Sequence, residues 1–242
     1  MIMKILILSA TIIMSVLSIQ AKTLIVYYSY TNNVERIVNE LRTQIEADVI
    51  EVEPAEKGLD YAANNYAIGS AQIAAIRENP DDASSYPAID PVNVDMSQYS
   101  TVIIGAPLWW SNMAAPMQTF LFQHGKEMAG KNVGLIVSSA SSGISGVESD
   151  AKRLIPNGLF LEPSLWIRSS QTSNAGTLLQ NWLQAIDYNN LTSGISNIEQ
   201  DHNTCFTVYS LSGLRLLADA YSTAALPAGL YIINGKKRLI SR

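Results

Sequence analysis

Cysteine is nearly absent: Cys205 is the only one in 242 residues, and histidine occurs twice, at His124 and His202. One thiol cannot close an internal disulfide, and with two imidazoles it cannot build a thiolate-clustered zinc or iron–sulfur site. Charge is sparse, with 16 basic and 21 acidic side chains making up 15% of the chain and a formal net charge of −5. That acidic balance disfavours a nucleic-acid duplex as a general partner, because its phosphates need a basic surface. Two catalytic or cofactor fingerprints are also missing. The segment Gly143-Ile144-Ser145-Gly146 lacks the Gly-x-Ser-x-Gly spacing of a hydrolase nucleophile elbow, and no Gly-x-Gly-x-x-Gly follows the first strand, as a dinucleotide site would require. Against these absences stands a hydrophobic content of 48%, too high for a disordered chain and sufficient for one globular domain with something appended.

The longest apolar run comes first. Lys4 precedes Ile5 to Ile19, and Gln20-Ala21 offers a small residue at a cleavage position. Residues 1–21 therefore read as a secretory signal peptide, short of the roughly 20 apolar residues that a span needs. The expected mature chain begins at Lys22, carries no stable membrane span after leader cleavage and works in the periplasm or outside the cell.

From Lys22 the chain alternates β-type runs with helical-period segments, the order of an α/β domain with a mainly parallel sheet. Strands are predicted at Thr23–Tyr28, Asp48–Val52, Thr101–Ala106, Val133–Ser138 and Leu159–Ile167. Helices are predicted at Asn33–Ala47, Met113–His124, Gly146–Leu154 and Ser173–Ile186, and another near Tyr61–Arg77, within an irregular surface excursion from Pro54 to Pro91. The domain spans residues 22–188. Residues 189–203, rich in Asn, Ser and Asp, read as a linker, and residues 204–242 read as a small β-rich tail with hairpin turns.

Ligands of an open parallel sheet bind beyond the carboxyl ends of its strands. The loop after the first strand, Ser29-Tyr30-Thr31-Asn32-Asn33-Val34, combines hydroxyls with a helix N-terminus, an arrangement that holds anions through backbone N–H groups. After the third strand, Pro107-Leu108-Trp109-Trp110 sets two adjacent indoles where at least one should face a crevice and stack on a planar ring. After the fourth, Ser138 to Gly146 supplies small side chains and free N–H groups able to approach a heteroaromatic edge.

With these three loops in this order, the chain from Thr23 to about Tyr188 resembles the flavodoxin-like family of FMN-binding proteins. The resemblance implies a three-layer sandwich around a five-stranded parallel sheet of order 2-1-3-4-5, with FMN as cofactor. By position, Ser29, Thr31, Asn32, Asn33 and Val34 would cradle the phosphate, Pro107, Leu108, Trp109 and Trp110 would contact the flavin, and Ser139, Ala140, Ser141, Ser142 and Gly143 would line its polar edge. The loop departs from the family pattern where Asn32 stands for the usual Gly and Val34 for a hydroxyl residue. No catalytic side chain and no metal is implied. The implied function is electron transfer with a redox partner protein, or FMN-dependent reduction of a small acceptor such as a quinone. The alternative is a binding or scaffold protein that keeps the fold without FMN. In the tail, Val208-Tyr-Ser-Leu-Ser-Gly-Leu-Arg and Leu226-Pro-Ala-Gly-Leu-Tyr-Ile-Ile-Asn-Gly-Lys-Lys-Arg-Leu-Ile resemble short C-terminal sorting domains of type IX secretion.

Overall fold

The computed structural model describes residues 22–192, 195–197, 206–220, 225–233 and 236–240. The predicted leader, Cys205 and His202 lie outside the described residues. The first strand, β1 (Lys22–Tyr27), is joined by α1 (Asn33–Leu41) to β2 (Asp48–Glu51). After α2 (Ala63–Glu78) come β3 (Tyr99–Trp109), the short β4 (Asn112–Met113), α3 (Ala115–His124) and β5 (Asn132–Ser139). The domain then closes through α4 (Ser145–Leu154), β6 (Leu159–Phe160), β7 (Leu165–Arg168) and α5 (Ala175–Ala185). Hydrogen bonding orders the sheet β2-β1-β3-β5, with β6 and β7 together in the last place. All of these neighbours run parallel, and the order is the predicted 2-1-3-4-5.

Alternation along the strands makes the layers. Leu24, Val26, Val102, Ile104, Leu135 and Val137 face one core, which also holds Ile73 and Ile76 of α2, Met117 and Phe120 of α3, and Val147 and Ala151 of α4. Their neighbours Ile25, Ile103, Ile136 and Ile167 face the other, with Ile37 and Leu41 of α1 and Leu179 and Trp182 of α5. A continuous apolar run such as Thr101–Ala106 is thus explained by burial on both faces.

Three elements differ from expectation. The third strand does not stop at Ala106: β3 continues to Trp109 and turns back into β4, pairing Leu108 with Met113 and Trp109 with Asn112. The predicted fifth strand is broken. Val133 pairs with Phe160 and Ile136 with Leu165, so Leu161–Ser164 supplies more chain than β5 can match and leaves the ladder; Pro163, with no N–H to donate, sits in that stretch. The first helix ends at Leu41 rather than Ala47.

The segment read as a linker contains α6 (Tyr188–Thr192) and β8 (Ile195–Asn197). Beyond it, β9 (Phe206–Tyr209), β10 (Arg215–Ala220), β11 (Gly229–Ile233) and β12 (Lys236–Ile240) form a separate sheet of order β10-β9-β11-β12-β8. Its pairs are antiparallel except β12 with β8. Among its described residues the buried cluster is Val208, Leu226, Ile233 and Ile240. Among the described residues, no helix is long and apolar enough to cross a membrane, and no three His, Cys, Asp or Glu side chains converge as metal ligands.

Candidate functional site

At the carboxyl end of β1 the chain must reverse within five residues to enter α1. Asn32 makes the turn in the left-handed region, at φ 59° and ψ 5°, where Asn is tolerated better than most residues. The Asn33 side-chain amide donates through Nδ2 to Thr31 Oγ1 at 3.0 Å, and Ser29 Oγ accepts the Glu35 N–H at 3.2 Å. The Arg36 N–H is the first to bond a backbone carbonyl of the turn, that of Asn32 at 3.0 Å. The Asn33 and Val34 amides have no acceptor among the described residues, as expected for the first N–H groups of a helix. The Val34 side chain, 1% exposed, packs in the core with Ile37 and Leu41. A Cβ on Gly105 of β3 would lie 3.0 Å from Val34 Cγ1, so Val34 contributes its backbone to the loop and its methyls to the sheet.

The tryptophans sit on a hairpin. Trp110 and Ser111 form its two-residue turn, both left-handed at φ 46° and 63°, the signature of a type I′ connection. Trp109 lies among tyrosines, with ring centroids 4.9 Å from Tyr61, 5.7 Å from Tyr28 and 6.2 Å from Tyr30. Trp110 is 41% exposed and meets Trp109 edge-on at 6.4 Å.

In the third loop Ser139 Oγ accepts from Trp166 Nε1 at 2.8 Å and donates to the Ser142 carbonyl at 2.9 Å. Ser169, just past β7, donates to the Ser139 carbonyl at 3.3 Å.

A cleft of about 510 Å³ joins the three loops, within the usual range for a cofactor site. Of the residues predicted from sequence, Ser29, Thr31, Asn33, Val34, Pro107, Leu108, Trp109, Trp110, Ser139 and Ala140 line it. Asn32, Ser141, Ser142 and Gly143 do not: they are exposed in the turns that carry the lining residues. Tyr30 and Ser138, named in the first and third loops without an assigned contact, also line it, and sequence reasoning missed Tyr61, Ala62, Tyr66, Gly69 and Ser169. Four of these come from the excursion taken as mere surface. Its Asn64, Asn65 and Tyr66 are left-handed, which kinks the start of α2 and sets Tyr66 on the rim of the cleft. The signal available in the sequence was the Asn pair flanked by Tyr61 and Tyr66.

Among the described residues, no Asp, Glu, Lys, Arg or His lines the cleft. Burial pushes the Tyr28 and Tyr61 hydroxyls above the ordinary tyrosine range, which favours their neutral form beside Trp109. The arrangement can hold an anion on helix amides and hydroxyls at one end, and cover a flat ring with indoles at the other.

A sequence profile described as Flavodoxin matches residues 22–186. The chain belongs to the flavodoxin family. No functionally curated protein matches it. Among solved structures, it resembles a provisionally assigned flavoprotein of Bacteroides eggerthii at 23% identity and a TM-score of 0.55, covering 69% of this chain and 98% of that one. A flavoprotein of Lactobacillus acidophilus NCFM, solved in complex with FMN, is also 23% identical, with a TM-score of 0.51 over 65% of this chain and 99% of that one. The flavodoxin domain accounts for the fold of residues 22–186; the tail sheet lies beyond the match.

Proposed function

We propose that the flavodoxin domain binds FMN in the three-loop cleft, and that the exported protein passes electrons to a redox partner protein or reduces a small acceptor such as a quinone. The observation that carries this reading is the convergence of a free helix N-terminus, an indole wall and a small-residue loop on one uncharged cleft.

The residues fit the group. The Asn33 and Val34 amides, with the hydroxyls of Ser29 and Thr31, receive the phosphate at the positive end of α1. Trp109 and Trp110 wall the ring and exclude water, while the backbone at Ser139 and Ala140 meets its polar edge. When bound, FMN supplies the one- and two-electron redox chemistry, and the protein orients it and sets its surroundings. That role asks no side chain to act as general acid or base. The FMN complex of the Lactobacillus acidophilus relative supports the assignment.

Export rests on the leader, and the β-rich tail is proposed as a sorting module. N-terminal sequencing of the chain recovered from fractionated cells should begin at Lys22. For the cofactor, the mature chain is mixed with FMN, gel-filtered and scanned for flavin absorbance. Retained colour followed by NAD(P)H-dependent quinone reduction supports a reductase, and retained colour without turnover supports a carrier. Colourless protein that is correctly folded leaves a flavodoxin fold serving as a scaffold. Thr31→Ala should weaken FMN binding about 10-fold while leaving riboflavin unchanged, because one hydrogen bond to a charged group is lost.

A further inference from the structure

The Trp109–Trp110 hairpin carries none of the residues that normally make a type I′ turn. Asn-Gly and Asp-Gly dominate such turns because both central residues need positive φ, and here a tryptophan and a serine hold that conformation. A left-handed non-glycine residue persists only where its surroundings over-determine it, and the surroundings here are specific.

Arg77, in the last turn of α2, donates through Nη2 to the Trp110 carbonyl and through Nε to Asn112 Oδ1 at 2.7 Å. From the other side Asp150 of α4, 6% exposed, accepts through Oδ2 from Asn112 Nδ2 and from the Met113 N–H, each at 2.9 Å. Arg153 compensates the Asp150 carboxylate at 3.3 Å. The backbone of α4 closes the trap: a Cβ on Gly146 would lie 1.7 Å from the Ser111 carbonyl oxygen.

We infer that Arg77 and Asp150 are positioning residues, a two-sided clamp that holds Trp110 as a wall of the flavin cleft. Neither lines the cleft, so both act through the hairpin. The clamp gives α2, which packs on the core through Ile73 and Ile76, a second role at the cleft. Its Gly69 passes so close to Trp110 that a Cβ there would lie 3.0 Å from the indole, and eight residues later its Arg77 fixes the carbonyl of the same tryptophan. Asn112 bridges the two halves, donating to one and accepting from the other. This inference rests on the proposed flavin site, and it concerns the ring end of the cleft rather than the phosphate end.

The test uses the mature chain with Arg77→Ala, titrated separately with FMN and riboflavin and read by flavin fluorescence. Arg77 is exposed, so the variant is expected to fold, with far-ultraviolet circular dichroism like that of wild type. Loss of the clamp should weaken both flavins by the same factor, about 10-fold, and alter the near-ultraviolet tryptophan signal of the unliganded protein. Arg77→Lys should recover only part of the affinity, because one ammonium cannot reproduce two directed guanidinium bonds. Asp150→Asn should act in the same direction as Arg77→Ala. Unchanged affinities in a folded Arg77→Ala protein would overturn the clamp and leave the flavin site standing. So would a variant that loses thermal stability alone. Wild-type protein that binds neither flavin overturns the reading of the site, and the clamp with it.

Discussion

Asn32 and Glu51 show how single residues are tuned at the carboxyl ends of β1 and β2. Asn32 makes no side-chain cap bond to α1, so its worth lies in adopting φ 59° rather than in capping. Asn32→Ala should therefore cost about 1 kcal/mol, the penalty for a left-handed residue without Asn's tolerance, whereas Asn32→Gly should stay within about 0.5 kcal/mol of wild type; urea denaturation distinguishes them. Val34 is fixed by the space above Gly105, which leaves the hydroxyls of the phosphate end to Ser29 and Thr31. Glu51, at the end of β2, has its carboxyl raised above the ordinary glutamate range, chiefly by burial and further by the charges of Glu35 and Glu53; the hydrogen bond from the Tyr27 hydroxyl opposes this. A carboxyl whose folded value is raised favours the protonated form, so the native state loses stability as pH climbs from the ordinary glutamate value through the folded one. Glu51→Gln keeps an acceptor for Tyr27 and removes the charge. Its thermal midpoint should exceed that of wild type at pH 7, and the difference should vanish below about pH 4, where free glutamate is itself protonated.

Elements were legible in the sequence where one local rule decides them. The run Thr101–Ala106 announced a strand buried on both faces, and Val34, Ile37, Val38 and Leu41 announced an amphipathic helix; both are in place. The resemblance of the three loops then fixed the strand order. What local rules could not reveal depends on contacts between distant segments. The turn at Trp110-Ser111 has no Gly or Asn to mark it, and it exists because α2 and α4 grip it from two sides. The kinked entry of α2, left-handed from Asn64 to Tyr66, reads as ordinary helix in the sequence, so its two tyrosines were not placed at the cleft. Ser169 came to the cleft because the fifth strand is interrupted and resumes as β7, ending level with Ser139. Since the hairpin turn owes its shape to the clamp, relieving its backbone strain should be favourable. Ser111→Gly supplies positive φ without a Cβ, offset by greater freedom of the unfolded chain. A net gain of about 0.5–1 kcal/mol is expected, seen as a rise of about 1–4 °C in the thermal midpoint, with flavin affinity retained because the Trp110 carbonyl and Asn112 stay in place.

At the scale of the whole molecule, two sheets of unequal means share one chain. The flavodoxin domain buries two extensive cores, whereas the tail sheet buries four hydrophobic side chains among its described residues. Every described residue lining the cleft lies between Ser29 and Ser169, so a chain cut after Tyr188 should bind flavin as the full chain does. The cut belongs after Tyr188 because that residue ties the end of the domain to its beginning. The Tyr188 and Thr23 hydroxyls meet at 2.7 Å across 165 residues of sequence, with 6% and 2% of the two residues exposed. A buried hydroxyl stripped of its partner costs about 1–3 kcal/mol, whereas removing both partners together is nearly neutral. Tyr188→Phe, which leaves the Thr23 hydroxyl alone, should thus destabilise the domain by about 1–3 kcal/mol. Thr23→Val removes the same bond from the other side, and the double variant should cost less than the sum of the two. The cycle is closed by urea denaturation of the four proteins. Additive losses would mean that the hydrogen bond between the two ends of the domain contributes nothing of its own.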